Sequence, residues 1–380
     1  MHIKSKLPHI GTTIFTVMTQ LANECGAINL SQGFPDFSVD ERLIDAVEKH
    51  MRQGSNQYAP MQGVPRLREK ISEKVRRLYG AAYDPATEIT VTSGATEALF
   101  CAITAVVHRG DEAILFEPAY DSYAPAVELC GGRPVYVQLS HPDYAVDWEA
   151  VKAAVSPKTR LLILNSPHNP SGAALTAVDL DRLEEIVRGT DMLILSDEVY
   201  EHIIFDGLAH QSMALRPELM QRSFVVSSFG KTYHATGWKI GYCLAPMELS
   251  SEFQKIHQYV TFTSNTTVQM AIADFMEHSN WYADLGGFYR QKRDLFRSLI
   301  EASRFKALPC RGTYFQMLDY SQISDEPDVA FSRRLTREYK VAAIPTSVFY
   351  HRKDDRRVLR FCFAKQDETL EKAAEILRRI

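Results

Sequence analysis

Four short stretches of this chain set residues able to do chemistry beside small or turn-forming ones. Ser93-Gly94-Ala95-Thr96-Glu97 follows an apolar run and opens a helical stretch. Free backbone N–H groups at such a start, with the helix dipole, make an anion site suited to phosphate. Asn165-Ser166-Pro167-His168-Asn169-Pro170 holds two Asn-type turns, and Ser196-Asp197-Glu198-Val199-Tyr200 sets a carboxylate three residues before a phenol. Ser228-Phe229-Gly230-Lys231-Thr232 places a lysine in a serine-rich loop. Taken singly, these stretches read as well or more simply as a strand-to-helix turn, loop chemistry and a helix cap. The Gly-Lys-Thr is not a nucleotide-triphosphate loop, because that motif needs glycine five residues before Gly230 and Val225 stands there.

Taken together, an anion cradle, an asparagine of the Asn165–Pro170 stretch, Asp197 with Tyr200, and Lys231 are the parts of a pyridoxal phosphate site. A lysine amine can form the Schiff base, and a carboxylate can keep the pyridine nitrogen protonated so that the ring draws electrons. No histidine pair has metal-binding spacing. The six cysteines, Cys25, Cys101, Cys130, Cys243, Cys310 and Cys362, lie far apart, so no metal site is expected.

Such residues need a scaffold. Short apolar runs at Ile89–Thr92, Ala113–Phe116, Pro134–Val137, Leu161–Leu164, Met192–Leu195, Phe224–Ser227 and Trp238–Leu244 alternate with helical stretches. Runs without polar alternation suit strands buried on both faces, so the spacing predicts an α/β fold with a mainly parallel seven-stranded sheet flanked by helices. Ligands then bind beyond the carboxyl ends of the strands, where the four stretches fall. Ser38-Val39-Asp40-Glu41 reads as a capping box before a helix carrying Leu43, Ile44, Val47 and Met51. Pro65 and Gly80 bracket a second helix with Leu67, Ile71, Val75 and Leu78 as its stripe. After about Gly286 the character changes to a long helix, strands at Thr313–Leu318, Val341–Ile344 and Val358–Phe363, and a last helix over Glu368–Arg379. The expected division is a large cofactor-binding domain over residues 33–285 and a smaller α+β domain from residues 1–32 with 286–380.

From about Leu30 to Lys365 the chain resembles the class I aminotransferases of pyridoxal-phosphate fold type I. Within them it is most similar to the branch of glutamine/kynurenine and bacterial methionine aminotransferases. The strings that carry the likeness are Asn29-Leu30-Ser31-Gln32-Gly33-Phe34-Pro35-Asp36-Phe37, Asn56-Gln57-Tyr58, Pro167-His168-Asn169-Pro170, Asp197-Glu198-Val199-Tyr200-Glu201-His202 and Arg360-Phe361-Cys362-Phe363. The resemblance implies that Lys231 carries the cofactor and shuttles the proton, and that Asp197 partners the pyridine nitrogen. Asn169 and Tyr200 match the groups that bond the ring's phenolic oxygen, and Tyr120 matches the aromatic stacked on the ring. Ala95, Thr96, Ser228 and Lys239 fall at phosphate positions. Tyr58 matches a tyrosine that reaches the phosphate in the neighbouring subunit of a homodimer. Arg360 matches the arginine that grips the substrate carboxylate, Gly33 offers a backbone group to it, Asn169 also faces the substrate, and Phe15 and Tyr120 with the partner's copy of Phe262 would wall the side-chain pocket. Lys239 stands where the usual pattern has arginine, a replacement that this branch tolerates. His234 replaces a small residue and has no account from sequence.

The implied activity is transfer of the amino group of methionine, or a similar uncharged or aromatic amino acid, to a 2-oxo acid. A C–S β-lyase would use the same lysine and aspartate. A cofactor-sensing regulatory domain is disfavoured, since no helix-turn-helix pattern precedes Ser31 and the net charge is −4. With 43 Lys plus Arg against 47 Asp plus Glu, no nucleic-acid footprint is expected. No run approaches the ~20 apolar residues of a membrane span. The opening MHIKSKLPHIGTTIF lacks the apolar core of a signal peptide, so a cytoplasmic protein is expected.

Overall fold

The computed structural model describes residues 3–279 and 281–380, so the first two residues of the expected 1–32 segment lie outside it. Seven strands form one sheet: β1 (Ile89–Thr92), β2 (Glu112–Glu117), β3 (Arg133–Gln138), β4 (Thr159–Asn165), β5 (Leu193–Asp197), β6 (Ser223–Ser228) and β7 (Gly241–Leu244). Their spatial order is β1-β7-β6-β5-β4-β2-β3, parallel throughout except for β7, which runs antiparallel to β1 and β6. The expected mainly parallel seven-stranded sheet is therefore present.

Alternation explains the unbroken apolar runs. Ala113, Leu115, Leu161, Ile163, Leu195, Phe224 and Val226 pack on one face with the helix Ala95–Val106. Ile114, Phe116, Leu162, Leu164, Ile194 and Val225 join the core on the other face. Successive side chains point to opposite faces and both faces are covered, so both must be apolar.

Several boundaries differ from the sequence reading. The helix Glu41–Arg52 is capped by Asp40, whose carboxylate accepts from the Arg42 N–H at 2.9 Å, so the box at Ser38 does not form. Of its expected stripe Leu43 is buried, but Ile44 and Met51 are exposed, as is Leu78 of the helix Pro65–Tyr79. The run from Trp238 is strand only from Gly241, because Thr236–Trp238 is a single 3-10 turn and Lys239 takes a left-handed φ of 55°. Val341–Ile344 splits into Val341–Ala342 and Ile344–Pro345, which belong to different sheets.

A second, four-stranded antiparallel sheet joins Ile344–Pro345, Val358–Cys362, Phe315–Asp319 and Lys306–Ala307 in that order. The N-terminal part meets this region: Ile28–Asn29 pairs in parallel with Val341–Ala342, and the helix Ile14–Cys25 packs against the helix Asp328–Arg337. Arg360 lies mid-strand in Val358–Cys362, so the second sheet presents it toward the strand ends of the first.

Candidate active site

Adjacent parallel strands bring Asn165 and Asp197 into register at the ends of β4 and β5. Asn165 Nδ2 donates to the Asp197 backbone oxygen at 2.8 Å, and its Oδ1 accepts from the Asn169 N–H at 2.8 Å. One side chain thereby closes the Asn165–Asn169 turn. The Asp197 carboxylate accepts from the Tyr123 hydroxyl at 2.6 Å and from the Val199 N–H at 3.3 Å. Burial nevertheless pushes its pKa up to about 6, because desolvation of the charge outweighs those two donors.

Lys231 sits in the short helix Phe229–Thr232 directly after β6. Its Nζ donates to the Tyr314 hydroxyl at 2.8 Å and to the Gly33 carbonyl at 3.2 Å. Burial lowers the amine to about 8, which leaves a useful neutral fraction near neutral pH. A cavity of about 200 Å³ separates Lys231 from Asp197. Ala95, Thr96, Ser228 and Lys239 line one end, while Tyr120, Asn169, Asp197, Tyr200 and Lys231 line the rest.

The first of these ends is built for close approach. Gly94 has φ +79°, and a Cβ there would stand 3.2 Å from both Cε and Nζ of Lys239. The bare backbone before the helix Ala95–Val106 thus lies under the Lys239 amine, with the first N–H groups of that helix free of intrahelical partners.

The opposite flank belongs to Arg360, whose residue exposure is 1%. Its Nη1 donates to Asn169 Oδ1 at 2.7 Å and its Nη2 to the Ser31 carbonyl at 2.9 Å, while Nε has no partner. The guanidinium lies 3.9 Å from the Phe315 ring centroid, 5.2 Å from Phe15 and 5.6 Å from Phe349. Desolvation pulls its pKa down to about 10, so it stays charged. Gly33 is pressed on Phe315, where a Cβ would come within 2.7 Å of Cζ.

Two of the expected site residues are elsewhere. Tyr58 and Phe262 meet edge-on at 5.4 Å on the surface, 82% and 49% exposed, outside the cavity of their own chain. His234 now has an account: it takes a left-handed φ of 56° three residues after Lys231 and packs among Phe37, Trp281, Phe288 and Tyr289. Desolvation lowers it to about 4, so it is a neutral packing ring. Sequence reasoning missed Tyr123, Tyr314 and Asn165. Asn165 ends an apolar run and was open to the same search as Asp197; the two tyrosines carry no local signal.

Residues 26–377 match the model of the aminotransferase class I and II family. The chain belongs to that family. It is 51% identical over 378 residues to a methionine aminotransferase of Escherichia coli, covering 99% of this chain and 98% of the relative. It is 35% identical to a kynurenine–oxoglutarate transaminase of Dictyostelium discoideum, over 97% of this chain and 94% of that one. The solved structure of YbdL from Escherichia coli, for which a methionine aminotransferase function is identified, superposes with a TM-score of 0.98 at 50% identity over the whole of both chains. The aminotransferase fold type expected from the sequence is thus the fold observed.

Proposed function

We propose that this aminotransferase binds pyridoxal phosphate in the cavity between Lys231 and Asp197 and takes methionine, or a similar uncharged amino acid, as amino donor. Family members depend on that cofactor, and the residues fit it: an amine, a carboxylate and a cationic cradle line one buried space. When bound, pyridoxal phosphate supplies an aldehyde that takes up the amino group and a ring that accepts the electron pair left at the substrate's Cα.

The chain's own residues would do the rest. Lys231 Nζ would carry the proton lost by the substrate Cα; Tyr314 and the Gly33 carbonyl hold that amine in place. Asp197, kept ionised near neutral pH and held by Tyr123, fixes the proton on the ring nitrogen. Asn169 and Tyr200 would hold the phenolic oxygen, and Tyr120 would lie against the ring. The helix start at Ala95–Thr96, Ser228 and Lys239 hold the phosphate, the last as a point charge without an arginine's planar fork.

One observation carries the donor reading. Arg360 is a buried cation answered by a neutral amide and a carbonyl, with one nitrogen unbonded, and ringed by Phe15, Phe315 and Phe349. A carboxylate completes that fork bidentately, and the side chain beyond it meets aromatic walls. The cations that line the cavity among the described residues, Lys231 and Lys239, would be committed to the cofactor. A donor panel with several 2-oxo acids on the purified holoprotein tests this. Methionine should lead, with phenylalanine, tyrosine, histidine, glutamine and kynurenine behind; aspartate as best donor would sink the reading.

The exposed Tyr58–Phe262 pair supports a homodimer in which each chain completes the other's site, with residues 33–285 and the combined 1–32 and 286–380 as its two domains. A fully active monomer in sedimentation would exclude that assembly.

A further inference from the structure

A buried acid–imidazole pair lies behind the phosphate cradle. Glu97 sits in the first turn of the helix Ala95–Val106, and His257 in the last turn of the helix Met247–Val260. The His257 side chain is fully enclosed and that of Glu97 nearly so. His257 Nδ1 stands 2.5 Å from Glu97 Oε1, and Nε2 stands 2.9 Å from the Met61 carbonyl oxygen. Glu97 Oε2 accepts from the Ser93 N–H at 2.5 Å. A carbonyl only accepts, so Nε2 carries a hydrogen; the Nδ1–Oε1 contact needs a second. The pair therefore holds one proton more than a carboxylate beside a neutral imidazole.

The same geometry argues against a metal. Glu97, Cys101 and His257 are close enough together to ligate one, but both imidazole nitrogens are engaged and burial pushes the Cys101 thiol up. Its position is what makes the pair informative. Ser93 immediately precedes Gly94, and Met61 lies three residues beyond Tyr58. Ser93 also reaches Ser264 through its hydroxyl at 3.3 Å, and Thr263 Oγ1 donates to the Pro60 carbonyl at 3.3 Å. Two loops, at Met61 and Ser93, bond the pair directly, and the Thr263–Ser264 loop touches both of them. A lone carboxylate in the first turn of this helix would repel a phosphate placed at its N-terminus, and the proton shared with His257 cancels that charge.

We propose that Glu97 and His257 are positioning residues for the phosphate end of the cofactor site: they lock the Ser93–Gly94–Ala95 turn to the Met61 loop while hiding the glutamate's charge from the phosphate. This rests on reading that turn as the phosphate cradle.

Binding to the full chain stripped of cofactor tests it, with pyridoxal phosphate and phosphate-free pyridoxal as probes. His257→Gln, which leaves the Glu97 charge uncancelled, should weaken pyridoxal phosphate roughly tenfold and pyridoxal by less than about twofold. Adding Glu97→Gln to that variant should restore most of the loss, since the amide keeps the Ser93 bond without charge. Equal loss for both probes, or no restoration, overturns the proposal. Nitrogen-15 histidine spectra of the unaltered protein give an answer that does not depend on the variants folding. A protonated Nε2 with a low-field proton on the Nδ1 contact is expected, and a bare Nε2 for His257 also overturns it. A parent protein that captures neither aldehyde would remove the cofactor reading itself, and this proposal with it.

Discussion

The two ends of the site are built by opposite strategies. At the cofactor end, Asn165, Asp197, Ser228 and Lys231 come from neighbouring strand ends of one sheet, and short hydrogen bonds with Tyr123, Tyr314 and Asn165 restrain the key groups. At the substrate end, Ser31, Asn169 and Arg360 come from chain segments more than a hundred residues apart, and the guanidinium keeps an unbonded Nε. The first end is restrained before anything binds. The second holds a neutral amide and a carbonyl, where, on the proposed reading, a charged carboxylate would make stronger bonds. A group that stays through every cycle suits the first strategy, and one that enters and leaves suits the second.

Removing the restrained amine breaks the comparison most severely. Lys231→Ala should lower kcat by about 10⁴-fold or more, because the proton loses its carrier at Nζ. Borohydride reduction and peptide mapping should find the cofactor label on Lys231 in the parent and none in the variant. A label on another lysine would overturn the assignment.

Asp197→Ala comes next, with a loss of about 10²–10³-fold in kcat for every donor while some cofactor is retained. The same residue gives a stability test with a fixed sign. Its carboxyl titrates at about 6 in the fold against an ordinary 3.8, so the folded protein binds the extra proton between those values. The associated stability is fully present below about pH 3.8 and is lost as pH rises through 6. Above that, burying the charge costs about 3 kcal/mol. Cofactor-free Asp197→Asn should therefore melt higher than the parent at pH 8, with the gap closing toward pH 4. Equal melting at pH 8 would mean that Tyr123 and Val199 already offset the burial.

At the substrate end the loss should fall on a different kinetic constant. Arg360→Lys keeps the charge but removes the fork and the stacking on Phe315, so kcat/KM should fall roughly 30–100-fold, mainly through KM. Alanine and methionine should suffer alike, since both present the same carboxylate. A loss confined to kcat would erase the distinction between the two ends.

What was legible in the sequence follows the same division. The strand-end groups could be read because a parallel strand buried on both faces is an unbroken apolar run, and the next residue marks the ligand edge. Asp197, Lys231 and Ser228 were singled out that way, and the structure lines one cavity with them. Arg360, Phe15 and Gly33 came only through family likeness, because no local pattern tells that a mid-strand arginine meets an amide 191 residues away. Tyr123 and Tyr314 were missed for the same reason, each acting across more than 70 residues. The misplaced cap at Ser38 and the overlong strand from Trp238 are failures of another kind. A serine and an aspartate two residues apart compete to cap one helix, and a left-handed lysine interrupts an apolar run where the chain must turn toward the cavity.

The smallest expected effect tests the wall instead of the fork. Phe15 lies 5.2 Å from the Arg360 guanidinium and 6.0 Å from Phe349, and its helix Ile14–Cys25 is tied down when Gln32 donates to the Phe15 carbonyl at 3.1 Å. Truncating the ring removes apolar contact without touching a hydrogen bond in the site. At about 25 cal/mol per Å², a few tens of Å² of methionine side chain left uncovered costs about 1 kcal/mol, or roughly fivefold. Methionine gains further from sulfur against aromatic rings, a contact alanine cannot make. Phe15→Ala should therefore lower kcat/KM roughly five- to tenfold for methionine and less than about twofold for alanine. The cation–π support that the ring gives Arg360 is common to both donors, so it sets the floor of the effect and not the difference. Equal losses for the two donors would mean that Phe15 serves only the guanidinium, and the aromatic wall would then have to be sought at Phe349 or in the partner chain.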